Sequence, residues 1–138
     1  MSAAQNKATI AAIMQALNAQ NYDALDELVA DDFTRHCQAT PGVVVTNREA
    51  FKEFDKGSRS TFPDQELVLQ RTVGEGDFVG FWASYRATQA GPMGPHAPTN
   101  RRVEIDFGGI FRFADGKAAE VWVTWDNAAM FAQLGLTP

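Results

Sequence analysis

The chain has 138 residues, of which 45% are hydrophobic and 21% are charged, and its formal net charge is −5 at pH 7. This length suits one domain, residues 1–138, that is large enough to bury a core. The negative charge disfavours contact with phosphate backbones, so we expect no nucleic-acid partner. The single cysteine, Cys37, excludes an internal disulfide and suits a reducing cytoplasm.

The sequence also lacks the patterns of a metal site, a membrane span or a secretory signal. Two histidines and one cysteine are too few to predict metal ligation. No stretch approaches the ~18 consecutive apolar residues that span a bilayer. Residues 1–15 show no basic and then apolar pattern with a cleavage site. We therefore expect a cytoplasmic protein without a membrane partner or a metal.

The first half of the chain predicts helices. Ser2 and Gln5 have capping-box spacing, and the apolar residues that follow recur on one helical face: Ile10, Ile13, Met14 and Leu17. The same period predicts a second, shorter helix, with Tyr22, Leu25, Leu28 and Val29 on one face and its end near Asp31. Residues 33–37 favour a short strand, and the segment to Val45 is predicted as a loop.

A third helix is predicted after this loop. Thr46 and Glu49 have the spacing of another capping box, and three phenylalanines form one stripe: Phe51, Phe54 and Phe62. Pro63 then ends the helix, because proline lacks the amide hydrogen that a helix interior requires.

The second half of the chain predicts strands. Apolar residues alternate along residues 67–73, residues 74–77 form a turn, and a long strand follows with Val79, Phe81, Ala83, Tyr85 and Ala87 on one face. Residues 90–100 contain three prolines and two glycines, which indicates a loop. The next strand carries the apolar alternates Val103, Ile105, Phe107, Phe111 and Phe113.

A hairpin and a final helix complete the predicted elements. Asp115-Gly116 is a strong hairpin signal and leads into a last strand over residues 117–126. A short helix from Asn127 to Leu134 ends at Gly135. Helices followed by a mostly antiparallel sheet predict an α+β fold, in which the helices pack on one face of a curved sheet.

The end of the last strand carries the first candidate for chemistry. Thr124 and Asp126 share a face with Trp122, because side chains alternate along a strand. A two-residue hairpin loop would place Asp126 on the face of Phe107, where burial raises its pKa. A three-residue loop with a bulge would place it with Arg112, which opposes that rise. A carboxylate in an apolar cleft is a candidate general acid or base. Asp126 also directly precedes a helix, so it is equally a candidate N-cap.

Other residues could orient or line a ligand. His36 titrates near neutrality, so it could transfer a proton or orient a carbonyl, although a lone histidine is more often a packing or surface residue. Arg112, Tyr85 or His36 could donate hydrogen bonds to an enolate oxygen. Several aromatic residues could form either the core or the wall of a planar ligand site: Trp82, Tyr85, Trp122 and Phe62.

Six segments, taken in order, resemble the SnoaL-like polyketide cyclases, also called ester cyclases. They are NYDALDELVADDFTRH (21–36), FPD (62–64), GEGDFV (74–79), GPMG with PTN (91–100), FRFADGKAAEVW (111–122) and WDNAAMFAQLG (125–135). The resemblance implies the cone-shaped fold shared with nuclear transport factor and ketosteroid isomerase, with a pocket at one end. It also implies an intramolecular aldol condensation without metal or cofactor. In the family's W-x-x-x-D pattern, here Trp122 to Asp126, the aspartate accepts and then donates the proton. The histidine after the second helix matches His36.

These observations together predict a homodimer that acts as a cyclase or isomerase on a carbonyl-rich, hydrophobic small molecule. The expected dimer contact is the strand face of Val121, Val123 and Trp125, which would need cover if the helices do not provide it. One alternative is a non-catalytic module that binds an apolar ligand. Another is a hydrolase like the epoxide hydrolases, which would need a second acid from Glu120 or Asp106.

Overall fold

The computed structural model describes residues 2–137 of the chain. Helix α1 (Ala3–Asn18) is followed by a 3-10 turn (Tyr22–Ala24) that continues into the short helix α2 (Leu25–Leu28). Strand β1 (Val29–His36) and helix α3 (Arg48–Thr61) come next. The remaining elements are β2 (Glu66–Glu75), β3 (Phe78–Thr88), β4 (Arg102–Ala114), β5 (Lys117–Trp125) and α4 (Asn127–Leu134). Helices packed on a sheet of mostly antiparallel strands confirm the predicted α+β class.

The first helix forms as predicted, and the second also forms but ends at Leu28, before its predicted end near Asp31. Ser2 and Gln5 make both hydrogen bonds of the capping box, and the predicted apolar face of α1 is buried. Val29, which we expected on the second helix, instead begins β1 as a fully buried residue. A four-residue helix is unstable alone, so α2 depends on the packing of its buried Leu25.

The third helix begins one residue later than its predicted capping box. The N-cap is Asn47 rather than Thr46, and the Asn47 side chain accepts a hydrogen bond of 2.7 Å from the amide of Ala50. Asparagine has the short side-chain oxygen that this position favours. Phe62 lies just beyond the end of α3 and not on its stripe, because the helix ends at Thr61.

The five strands form one curved sheet in the order β1-β5-β4-β3-β2. β1 pairs with β5 in parallel, and the other pairs are antiparallel. Helices cover one face, which we call the inner face, and it carries buried residues such as Val79, Phe81, Phe111 and Val121. The opposite face, which we call the outer face, is largely exposed.

The hairpin between β4 and β5 decides which β5 residues face inward. Asp115 and Gly116 have positive φ angles of 52° and 79°, as a two-residue turn of type I′ requires. The register then shifts, because Phe113 pairs with Ala118 and Arg112 pairs with Glu120, so that one extra residue forms a bulge. The turn therefore has the shorter of the two predicted loops, while the bulge produces the side-chain arrangement expected of the longer one.

Two glycines allow β4 to lie close to its neighbours. A Cβ atom at Gly109 would lie 1.9 Å from the Trp122 carbonyl oxygen, and one at Gly108 would lie 2.5 Å from the Trp82 ring. Only glycine permits these approaches, so both positions help to set the shape of the sheet. Within residues 2–137, no helix is long and apolar enough to cross a membrane.

Candidate ligand-binding site

A cavity of about 650 Å³ lies between the helices and the inner face of the sheet. Its lining is mostly apolar, with aromatic side chains from α3 and three strands: Phe51, Phe54, Phe81, Phe107, Phe111 and Trp125. The volume falls within the range of small-molecule sites. The inward-facing side chains of β3, β4 and β5 therefore line a cavity that could hold a flat organic molecule.

Arg35 brings a positive charge into this apolar lining. It follows Phe33 by two residues on β1, so both side chains extend over the inner face. The guanidinium carbon lies 4.1 Å from the centre of the Phe54 ring and 5.8 Å from that of Trp125. Its Nη1 donates to Thr40 Oγ1 at 3.0 Å, and no carboxylate of residues 2–137 forms an ion pair with it. Burial lowers the pKa of Arg35, yet arginine keeps its charge at neutral pH.

The Trp125 ring beside Arg35 is held by hydrogen bonds. Trp125 Nε1 donates to Asn127 Oδ1 at 2.8 Å, and Asn127 Nδ2 donates to the Ala39 carbonyl at 2.6 Å. These bonds connect the start of α4 to the loop after β1. The guanidinium therefore lies beside a Trp125 ring whose position is fixed by α4 and by the loop after β1.

A buried carboxylate lies on the side of the cavity formed by α3 and β3. Asp55 is only 6% exposed. Its Oδ2 accepts hydrogen bonds from Tyr22 Oη at 2.6 Å and Arg59 Nε at 3.2 Å, and its Oδ1 accepts one from Gln65 Nε2 at 2.9 Å. The paired charge and three donors offset the cost of burying this carboxylate.

Gln65 extends this network to two hydroxyl groups that line the cavity. Its Oε1 accepts hydrogen bonds from Ser58 Oγ at 2.8 Å and from Tyr85 Oη at 2.7 Å. We call the following residues the Asp55 network: Asp55, Tyr22, Arg59, Gln65, Ser58 and Tyr85. Because β5 and β4 lie between β1 and β3 in the sheet, the Asp55 network and Arg35 approach the cavity from different sides.

Burial also keeps the two tyrosines of this network neutral. It raises the pKa of Tyr85 well above its usual range. Burial and the hydrogen bond to Asp55 raise the pKa of Tyr22 to about 12. Both phenols therefore keep their protons at neutral pH and act through hydrogen bonds rather than as bases.

Two of the residues proposed from the sequence line the cavity. Tyr85 presents its hydroxyl from β3, and the Phe62 ring meets the Tyr85 ring edge-on with 5.8 Å between their centres. The other proposed site residues lie on the outer face. The bulge directs Trp122 and Thr124 there, whereas Trp82 on β3, Arg112 on β4 and His36 on β1 face that way through the alternation of their own strands.

Asp126 occupies an exposed position outside the cavity lining. Its Oδ1 accepts a hydrogen bond of 3.0 Å from the amide of Ala129, so it is the N-cap of α4. Of the two placements that the sequence left open, the β5 register produces the second, with Asp126 on the face of Arg112 and pointing away from the helices, so the placement beside Phe107 is wrong. The role of Asp126 in proton transfer stays a prediction of the family resemblance.

His36 and Arg112 meet on the outer face around a shared carboxylate. The His36 Nε2 and Glu120 Oε2 atoms are 2.6 Å apart, and Arg112 Nε donates to Glu120 Oε1 at 3.0 Å. The His36 ring stacks on Trp122 with 5.3 Å between centres. Hydrogen bonds from His36 and then Arg112 lower the pKa of Glu120. These residues come together, but they do not line the cavity.

The remaining candidates also lie on the outer face. Trp82 is 47% exposed and Thr124 is exposed. Glu120 and Asp106, the acids that a hydrolase would need, share this face and are absent from the cavity lining. Among residues 2–137, no three His, Cys, Asp or Glu side chains are placed to hold a metal ion.

Arg35 and Asp55 are cavity residues that our sequence reasoning missed, although the sequence carried a signal for each. A strand through Phe33 places Arg35 on the same face and His36 on the other. On α3, Asp55 follows Phe51 by four residues and so shares its buried face. Gln65, just before β2, had no such signal, because the path of the chain after Pro63 positions it.

The comparisons with known proteins place this architecture in a family. The profile of the SnoaL-like polyketide cyclases matches residues 8–134, and the chain therefore belongs to that family. IdmH of Streptomyces antibioticus, a proposed polyketide cyclase, is 30% identical, with a TM-score of 0.84 over 96% of this chain and 99% of its own. No protein with curated annotation matches the sequence.

More distant structures share the fold. A proposed SnoaL-like polyketide cyclase from Jannaschia sp. has 24% identity and a TM-score of 0.85 over 98% of this chain and 94% of its own. A protein from Catenulispora acidiphila with a ketosteroid isomerase-like fold, solved with trimethylamine, has 19% identity and a TM-score of 0.79 over 94% of this chain and 93% of its own. The cone-shaped fold implied by the sequence segments is thereby confirmed.

Proposed function

We propose that this protein is a cofactor-free cyclase that binds a carbonyl-rich, largely apolar small molecule in the cavity and promotes its intramolecular aldol condensation. The observation that carries this proposal is the Arg35 guanidinium, which lines an aromatic cavity without a carboxylate partner. Arg35 is half-buried, so its charge loses part of its hydration and a ligand oxygen could replace what is lost. Its unused N–H groups suit a carbonyl or enolate oxygen.

The proposed chemistry gives Arg35 one defined task. A base removes a proton from the carbon beside a ligand carbonyl, and the electron pair moves onto that oxygen to form an enolate. The enolate carbon then attacks a second carbonyl carbon of the same molecule, whose oxygen takes the electron pair and a proton. Charge develops on the first oxygen, where a guanidinium in a low-dielectric cavity stabilises it most strongly.

The base in this scheme is the part that rests on the family resemblance alone. It assigns proton transfer to Asp126 with His36 as helper, and both lie outside the cavity lining. To reach a ligand there, Asp126 would have to exchange its hydrogen bond with the Ala129 amide for a contact with the ligand. Substitution of Asp126 by Asn tests this assignment separately from the role of Arg35.

Matched probe ligands test the Arg35 site. A naphthyl methyl ketone and ethylnaphthalene differ mainly in the carbonyl oxygen, and calorimetry would give both affinities. We expect the wild-type protein to prefer the ketone, and Arg35→Met to weaken ketone binding by roughly tenfold or more while retaining the hydrocarbon. Arg35→Lys, which keeps the charge, should retain part of the preference. Equal affinities for both probes in the wild type would refute a carbonyl site at Arg35.

Turnover is tested with a naphthyl β-diketone in deuterated water. Its central methylene is acidic enough for proton exchange to be followed by NMR at mildly acidic pH. We expect the protein to accelerate this exchange and Arg35→Met to abolish the acceleration.

The second candidate function is a binding module without catalysis. It is favoured by one observation, the use of Asp126 as a helix cap outside the cavity. This candidate predicts that the ketone binds but that the exchange rate equals the rate without protein.

We also propose that the protein forms a homodimer through the outer face and that it is located in the cytoplasm. The face first expected in the dimer, Val121, Val123 and Trp125, lines the cavity instead. The outer face carries four large apolar side chains that are 41–47% exposed: Phe78, Trp82, Ile110 and Trp122. Such a patch on a sheet suits a second copy related by a two-fold axis. A cytoplasmic location agrees with the free Cys37.

A further inference from the structure

The Asp55 network fixes the orientation of the Gln65 amide. A carboxylate can only accept hydrogen bonds, so the Gln65 atom that lies 2.9 Å from Asp55 Oδ1 must be the amide nitrogen. Asp55 itself is fixed by Tyr22 and Arg59. The Gln65 carbonyl oxygen is therefore the atom that faces Ser58 and Tyr85.

This orientation decides what the two hydroxyls offer to the cavity. The amide oxygen can only accept, so Ser58 Oγ and Tyr85 Oη must both donate to it across 2.8 and 2.7 Å. Each hydroxyl has a single hydrogen, which this bond uses. Each hydroxyl can therefore offer a ligand only an oxygen lone pair, which accepts a hydrogen bond. Burial raises the pKa of Tyr85, so its phenol keeps the hydrogen that makes this bond.

The opposite polarity is found at Arg35. A guanidinium has only donors. It lies over Phe54 of α3 and beside Trp125 on β5, and β5 is separated from β3 by β4. Two strand spacings correspond to roughly 10 Å. The cavity lining thus contains a donor group at Arg35 and a pair of acceptor groups at Ser58 and Tyr85, together with aromatic walls.

We infer that Tyr85 and Ser58 determine ligand specificity by accepting a hydrogen bond from a hydroxyl or N–H group of the ligand, at a point distinct from the carbonyl that Arg35 binds. This inference rests on the proposed function, because the carbonyl at Arg35 sets the orientation of the ligand. A ligand with an ether or a carbonyl near Tyr85 has no hydrogen to donate, so its lone pairs face those of the two hydroxyls and the ligand binds more weakly.

Three related probes test the inference by calorimetry. The first is a naphthyl methyl ketone with a hydroxyl on the ring far from the ketone, the second its methoxy analogue, and the third the unsubstituted ketone. We expect the hydroxyl compound to bind roughly tenfold more tightly than the other two. This preference should decrease in Tyr85→Phe and vanish in Tyr85→Phe/Ser58→Ala, while the affinity for the unsubstituted ketone stays within about twofold of wild type.

Tyr22→Phe is the matched control. It also removes a tyrosine hydroxyl of the Asp55 network, the one that donates to Asp55, but Tyr22 does not line the cavity. It should keep the preference for the hydroxyl compound. Equal loss in Tyr22→Phe would overturn the inference in favour of a purely structural role for the network.

The outcomes separate this inference from the proposed function. If all three ketones bind equally and more tightly than ethylnaphthalene, the inference is refuted and the carbonyl site at Arg35 stands. If no ketone binds more tightly than ethylnaphthalene, both are refuted.

Discussion

Replacing Asp126 separates its two possible roles, helix cap and proton acceptor. The carboxylate accepts the Ala129 amide hydrogen at 3.0 Å and so satisfies one of the free donors at the start of α4. This helix has eight residues and packs through its buried Met130 and Leu134. Alanine at an N-cap costs about 1 kcal/mol, whereas asparagine is as good a cap as aspartate.

The expected magnitudes follow from that geometry. A loss of about 1 kcal/mol in a domain of this size lowers the Tm by roughly 3–5 °C. We therefore expect this shift for Asp126→Ala and a Tm close to wild type for Asp126→Asn, measured by circular dichroism. Because Asp126 does not line the cavity, naphthyl ketone affinity should stay within about twofold of wild type in both variants.

The same pair of variants decides the proton-transfer role. Proton exchange of the β-diketone that is lost in Asp126→Asn, with Tm and ketone affinity retained, would identify Asp126 as the base. Exchange retained in Asp126→Asn would show that another base acts. A tenfold loss of ketone affinity in Asp126→Asn, or an unchanged Tm in Asp126→Ala, would refute our reasoning from the cap.

Three further predictions test burial, packing and assembly. The native protein should show almost no tyrosinate absorbance at pH 10, where an unfolded tyrosine is half ionised. The stabilisation by neutral Tyr22 is complete below pH 10 and is lost as pH rises toward about 12. Ionisation of both tyrosines near pH 10 in folded protein would contradict their burial. Gly109→Ala should lower the free energy of unfolding by about 1–3 kcal/mol in a denaturant titration. The control Gly57→Ala, whose Cβ meets open space on α3, should leave the free energy of unfolding unchanged or raise it by up to ~1 kcal/mol. Equal effects of the two substitutions would argue against the close approach at Gly109. Ile110→Glu should convert the proposed dimer to a monomer in analytical ultracentrifugation, while Val44→Glu on an exposed loop should not. A monomeric wild type would refute the proposed dimer.

Much of the fold could be predicted from local signals. The capping box at Ser2, the alternation along β3 and the Asp115-Gly116 turn each depend on residues close in the chain, and all three are present in the structure. The second helix was predicted too long at its C-terminal end, because Val29 fits a helical period and a buried parallel strand equally well. Its pairing with Ala118 of β5 decided between them.

The candidate site was harder to predict than the fold. Strand alternation correctly grouped Trp122, Thr124 and Asp126 on one face, but it could not say which face the helices cover. A single bulged residue in β5 decides this, because a shift of one residue exchanges the two faces of a strand. Tyr85 lies on the inner face that alternation predicted for it, because no such shift occurs between β3 and β4, whereas Phe62 lines the cavity from the position just after α3.

The sequence by itself determined the elements, their order and the family, since these depend on short-range periodicity, caps and turns. Only the tertiary structure decided that Arg35, Asp55 and Tyr85 line one cavity while Asp126 and His36 lie outside its lining. The physical reason is that a site is formed by contacts between residues far apart in the chain. Those contacts depend on strand register and helix packing, which the local pattern leaves open.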